Sequence, residues 1–272
     1  MKKEINRTPG YQNYLKNIKK ESFKIHFLQI FLFIAFLILW EVGANYGFID
    51  DFFFSKPSAI WDLLIKYIKN GEIFRHLGIS LYETIIGLII GTAGGLLIAI
   101  SLWWSERLAK IADPFLVILN ALPKTALAPI LIVWVGTGIK GIVVISIITS
   151  IAVTIMSAYN YFANVDADKI RLMKSFGANK KQILTKLVLP SNAINMINLL
   201  KINIGMAWVG VIVGEFIVSR AGLGYLIVYG GQVFKLNLVM MGVIVLAICT
   251  LLMYQIVNFF ENKLRKKQGT TK

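Results

Sequence analysis

Nucleophilic and metal chemistry rests on cysteine, histidine and clustered carboxylates, and this sequence brings few of them together. Its one cysteine, Cys249, sits inside an apolar run, so neither an intrachain disulfide nor a thiolate metal set can form. The two histidines, His26 and His76, are far apart and lack ligand spacing. No nucleophile, base or metal set stands out inside an apolar run, which argues against an intramembrane enzyme. Charge inside apolar runs is the chemistry that remains: Lys124, Lys201, Glu41, Glu83 and Glu215. A charge at membrane depth faces a cavity or a partner, or reaches back to the interface. Lys124 either lines a solute path, where it would suit an anionic or carbonyl-rich solute, or snorkels from a cytoplasmic helix end. Lys201 reads as snorkelling. Glu215 either lines the path or pairs with a basic residue on another helix. Trp208 lies far from any span end and is a further pathway candidate, whereas Trp40, Trp103 and Trp104 fit interfacial belts.

The elements that must position these residues are membrane spans. Of 272 residues, 57% are hydrophobic, against roughly 45–50% in soluble domains. The excess is gathered into runs of about 18 residues or more, long enough to cross a bilayer as helices. Six are expected, at 25–44, 78–104, 112–135, 139–159, 193–218 and 238–260. The first is read as retained and not as a cleaved signal peptide, because no small-residue cleavage site closes it. Residues 1–24 form a basic amino-terminal tail, 45–77 an external segment with an amphipathic surface stretch at 60–68, and 261–272 a basic carboxy-terminal tail. Gly87, Gly91 and Gly95 share one helix face and invite close helix approach. Pro114, Pro123 and Pro129 predict a kinked or broken third span.

The net charge of +15 would suit nucleic acid in a soluble protein. Here its distribution follows the spans. The two tails, Arg107, Lys110 and the 160–190 loop carry 20 of the 29 basic residues, and the opposite side carries seven. The excess of lysine and arginine marks the cytoplasmic side, so both termini are expected in the cytoplasm. No nucleic-acid partner is expected. No P-loop pattern occurs, so this chain is expected to bind neither ATP nor another cofactor.

The 160–190 loop carries the most information. Its segment DADKIRLMKSFGANKKQILTKLVLP, residues 166–190, reads as two short helices around a glycine turn, with Ile170, Met173 and Phe176 or Gly177 on one face. It resembles the cytoplasmic loop of bacterial ABC importer permeases, whose pattern is Glu-Ala-Ala, three residues, Gly, nine residues, Ile, one residue, Leu-Pro. Gly177 is followed after nine residues by Leu187, Val188, Leu189 and Pro190. The Glu-Ala-Ala positions fall on Arg171, Leu172 and Met173 and depart from the pattern. Residues 76–100, 113–139 and 205–227 resemble the nitrate/sulfonate/taurine-type branch of the binding-protein-dependent type I permeases.

The resemblance implies an all-α integral membrane protein with the type I ABC importer permease fold, residues 78–260 forming its transmembrane domain. It implies a permease subunit with no enzymatic activity of its own, in the bacterial inner membrane. Two copies of an ATPase subunit would bind ATP and magnesium, an extracytoplasmic substrate-binding protein would deliver solute, and two copies of this chain would form the pathway. Ile170, Arg171, Met173, Phe176, Gly177, Leu187, Leu189 and Pro190 would form the ATPase-coupling loop, and Gly222 and Gly224 would belong to an outer gate loop. Solutes of the branch include sulfonates, nitrate, taurine and vitamin precursors such as pyrimidines and riboflavin-like compounds. The competing expectation is a secondary transporter driven by an ion gradient, but no convincing internal repeat of the kind common there is visible.

Overall fold

The computed structural model describes residues 9–267. The chain divides into a first unit ending at Leu63 and a second beginning at Leu64. Residues 1–8 and 268–272, the ends of the two expected tails, lie outside the described residues.

In the first unit, helix α1 (Pro9–Asn45) begins well before the expected span and carries the helix through much of the basic tail. Phe27, Leu32, Phe33 and Leu39 around it are all more than half exposed, as suits a helix surrounded by lipid. Beyond α1 come α2 (Asp51–Phe54) and α3 (Pro57–Lys69), which continues into the second unit. Glu41 near the end of α1 accepts from the Ser58 backbone N–H at 3.0 Å and the Ser58 hydroxyl at 2.8 Å. It thereby places a carboxylate at the amino terminus of α3, where orphan N–H groups and the helix dipole favour an anion. Trp40 Nε1 donates to the Ser55 carbonyl at 3.1 Å.

The second unit is built on three helices: α4 (Glu72–Trp104), α7 (Ile139–Ala163) and α11 (Ala193–Val218), with α7 the most enclosed. The reason is legible in their small residues. Gly87, Gly91 and Gly95 of α4 face Ser146, Ser150 and Thr154 of α7, and a Cβ at Gly95 would lie 2.5 Å from the Thr154 Cβ. From the other side, a Cβ at Gly210 of α11 would lie 2.5 Å from the Ser146 Cα. In lipid, where apolar burial does not drive helix association, such close backbone approach and interhelical hydrogen bonds do. Asn203 of α11 supplies the hydrogen bonds, donating to Thr92 of α4 at 2.9 Å and Thr154 of α7 at 2.8 Å.

Between α4 and α7 the third expected span is broken. Helix α5 (Glu106–Ala121) and the stretch comprising a 3₁₀ turn (Lys124–Leu127) and α6 (Ala128–Val135) meet at 86°. Pro123 is the cause: it has no N–H, and it forces the preceding Leu122 into extended backbone with ψ of 135°. Among the described residues, five helices are long and apolar enough to span, and this bent pair makes up to six.

After α7 come α8 (Ala167–Ser175) and α9 (Lys180–Ile183), then a π-helical turn at Leu184–Val188 and α10 (Leu189–Ser191). The unit ends with α11, α12 (Leu223–Gln232) and α13 (Leu236–Lys267). Lys201 does not snorkel. It is 11% exposed and forms an ion pair with Glu261 of α13, which also binds Arg265 at 2.7 Å. A buried lysine needs such a partner, and α13 supplies it across the helix interface.

Candidate functional site

Two regions gather the side chains singled out in the sequence. The first is a polar latch at the junction of α4, α11 and α12. The four successive backbone N–H groups that open α12 find side-chain acceptors. Gly222 N donates to His76 Nδ1 at 3.0 Å, Leu223 N to Ser80 Oγ at 2.7 Å, and Gly224 N and Tyr225 N to Glu215 Oε2. The Ser80 hydroxyl in turn donates a hydrogen bond to Glu215 Oε1. A helix start inside a membrane protein leaves such donors unpaired, and Glu215, only 1% exposed, answers two of them directly. His76 must be neutral to accept at Nδ1, and its ring stacks on Tyr225 at 5.9 Å with Tyr225 in turn on Tyr229 at 5.8 Å.

Gly222 and Gly224 are glycines for a steric reason. Gly222 has φ of +120°, and a Cβ there would collide with the Glu215 carboxylate; a Cβ at Gly224 would lie 2.8 Å from the Glu215 Cβ. Glu83, also 1% exposed, lies against Glu215 and leaves Oε2 without a hydrogen-bond partner among the described residues. It lines a cavity of about 530 Å³ with Thr137, Ser219 and Arg220.

Of the three pathway candidates, the structure draws Glu215 into the latch and buries Trp208 at 3% exposure inside the helix packing. Both are therefore interior to this chain, because α12 needs an acceptor and because α11 is enclosed on that side. Lys124 is half-buried at the break of the third span, where Nζ donates to the Asn120 carbonyl at 3.2 Å and caps the end of α5. His76 and Ser80 were not expected to act here. Their signal was the continuous stripe of His76, Ser80, Glu83, Gly87, Gly91 and Gly95 at three- and four-residue spacing on one face of α4.

The second region is the 166–190 segment. Asp166 caps α8 by accepting from Asp168 N at 2.9 Å. Gly177, with φ of +77°, ends the helix through bonds from Gly177 N to Lys174 O and from Ala178 N to Met173 O. Asn179 and Gln182 then form a reciprocal capping box for α9. Ile170, Met173, Leu187 and Leu189 face inward, packed against buried Ala99, Phe162, Ile183 and Val188. Leu172 and Phe176 face outward, 57% and 79% exposed, and Arg171 is exposed beside Asp168 at 3.2 Å. Of the face expected to hold Ile170, Met173 and Phe176 or Gly177, the structure keeps Ile170 and Met173 and leaves Phe176 outside, because at about 100° per residue position 176 lies roughly 120° round the helix from Ile170.

Residues 91–266 match the family described as binding-protein-dependent transport system inner membrane component. The chain belongs to this family. It is a transmembrane permease subunit of an ABC importer, a multi-pass protein of the inner membrane type. Membership implies ATPase and binding-protein partners and displaces the ion-gradient alternative. The chain is 28% identical to the putative aliphatic sulfonates transport permease SsuC of Bacillus subtilis (strain 168), over 85% of this chain and 83% of that protein. It is 24% identical to the taurine transport system permease TauC of Escherichia coli (strain K12), over 80% and 81%. The MetNI methionine ABC transporter, in an inward-facing conformation, matches with a TM-score of 0.62 at 17% identity, over 68% of this chain and 93% of that one. That last likeness is one of fold, and it carries the permease architecture read from the spans.

Proposed function

We propose that residues 166–190 seat this permease on a partner ATPase, with Leu172 and Phe176 entering a groove of that subunit. The supporting observation is their exposure: two large apolar side chains stand uncovered on a segment otherwise bolted to the helix bundle by Ile170, Met173, Leu187 and Leu189. Exposed apolar groups on an anchored element suit a protein contact. The ATPase, in two copies, binds ATP and magnesium; this chain does no covalent chemistry. Two copies of the permease enclose the pathway, with both termini in the cytoplasm. A binding protein delivers solute on the opposite side, where Gly222, Gly224 and the latch shape an outer gate. The solute is a small organic or inorganic anion, such as a sulfonate or nitrate, or a vitamin precursor; the names of its relatives support the sulfonate and the vitamin precursor.

Co-purification in mild detergent tests the docking. The native permease is expected to retain a P-loop ATPase, and Phe176→Asp to lose it while remaining folded, because a carboxylate in an apolar groove has no hydrogen-bond partner. Retention of the ATPase by Phe176→Asp at the native level would remove Phe176 from the interface.

A further inference from the structure

A second cavity, of about 490 Å³, lies between the 166–190 segment and the adjoining ends of α4, α5 and α7. That is ample room for a small ligand group. Its inner wall is apolar, from Leu102, Ile170 and Ile183, and its charged groups are Lys174, Lys180 and Glu106. Lys180 is held in place: Nζ donates to the Trp104 carbonyl at 2.6 Å and sits 5.7 Å from the ring centroids of both Trp103 and Trp104. The side chain of Lys174 makes no hydrogen bond or ion pair among the described residues, and neither does that of Glu106. The cavity therefore offers two ammonium groups against one carboxylate, an excess of positive charge with a fixed member, above an apolar wall.

We propose that this cavity binds a phosphate group, carried either by an anionic phospholipid headgroup or by a free phosphate compound. Two ammonium donors suit an anion with several acceptor oxygens. Trp103 and Trp104 end the apolar run of α4 and set the opening at the depth of the interfacial belt, where basic pockets between spans take anionic headgroups. The apolar wall then meets the glycerol and the first acyl carbons. An occupant would touch Lys174 of α8 and Leu102 of α4 at once, and so would tie the 166–190 segment to the spans. The assignment stands on the cavity alone and does not depend on which partner that segment meets.

Native mass spectrometry of the full chain in mild detergent is the test, with phosphatidylglycerol, phosphatidylcholine and inorganic phosphate each added separately. Phosphatidylglycerol is expected to bind in preference to phosphatidylcholine. Each of Lys174→Gln and Lys180→Gln should weaken it about fivefold, the effect of one basic residue at an anionic surface. Glu106→Gln should strengthen it. Lys174→Gln removes an exposed side chain with no partner to lose, so that arm keeps its meaning if Lys180→Gln disturbs the fold. If inorganic phosphate at millimolar concentration binds alone and displaces the lipid in a lysine-dependent way, the source is a free phosphate compound; if it does neither, the source is the headgroup. Equal retention of both lipids, or retention of phosphatidylglycerol unchanged in both lysine variants, would overturn the site.

Discussion

Gly222 shows how much can hang on one missing side chain. Its φ of +120° is a conformation that L side chains rarely adopt, and the space where a Cβ would stand is filled by the Glu215 carboxylate. Gly222→Ala should therefore destabilise by about 2–4 kcal/mol, combining backbone strain with displacement of Glu215 from its donors. Gly231→Ala, where a Cβ meets nothing within 4 Å, is the matched control and should be neutral. Thermal unfolding in detergent reads both. Glu215→Ala should cost a similar amount, since it strands the Gly224 and Tyr225 N–H groups in a buried place. Glu215→Gln keeps an acceptor oxygen and should lose less than half as much. Equal losses for the two Glu215 variants would mean that the latch is not what this side chain contributes.

At the scale of elements, the permease core depends on α4 and α11 pressing small-residue faces against α7. Gly95 is a direct test, with a Cβ placed 2.5 Å from the Thr154 Cβ and 3.3 Å from the Ile151 carbonyl. Gly95→Val should cost about 2–3 kcal/mol by overpacking. Gly94→Ala, on the neighbouring face and in ordinary contact at 3.5 Å with Ile151 Cδ1, should change little. The same stripe on α4 continues outward through Glu83, Ser80 and His76 to the latch, so one helix face serves packing at its centre and hydrogen bonding at its end. The break at Pro123 belongs to this scale as well: it turns one apolar stretch into two helices at 86° and puts Lys124 where it caps the first of them.

For the whole molecule, the distribution of lysine and arginine sets the expected orientation, and cysteine labelling can read it. Cys249 is buried and provides a quiet background. A membrane-impermeant maleimide should label Asn70→Cys in intact cells, and should label Ser175→Cys only after permeabilisation. The opposite pattern would invert the topology and with it the side on which an ATPase can dock.

Most of the helices were legible because a span must be long, apolar and internally hydrogen-bonded, and each condition leaves a mark in sequence. The fifth span, α11, runs over the residues that hydropathy picks out, and the glycine spacing of α4 announced a close neighbour. The turn at Gly177 was legible too, because a helix stop in the left-handed region selects glycine. Sequence by itself therefore determined a helical membrane protein with a structured, basic loop between its fourth and fifth spans. Only tertiary structure decided which polar groups meet. That His76, Ser80 and Glu215 converge on four N–H groups of α12, that Lys201 finds Glu261, and that Ile170 and Met173 anchor against Ala99 while Phe176 stands free, each depends on positions distant in the chain. Hydropathy and spacing report what a residue needs in order to be buried, and the fold alone supplies the partner that meets the need.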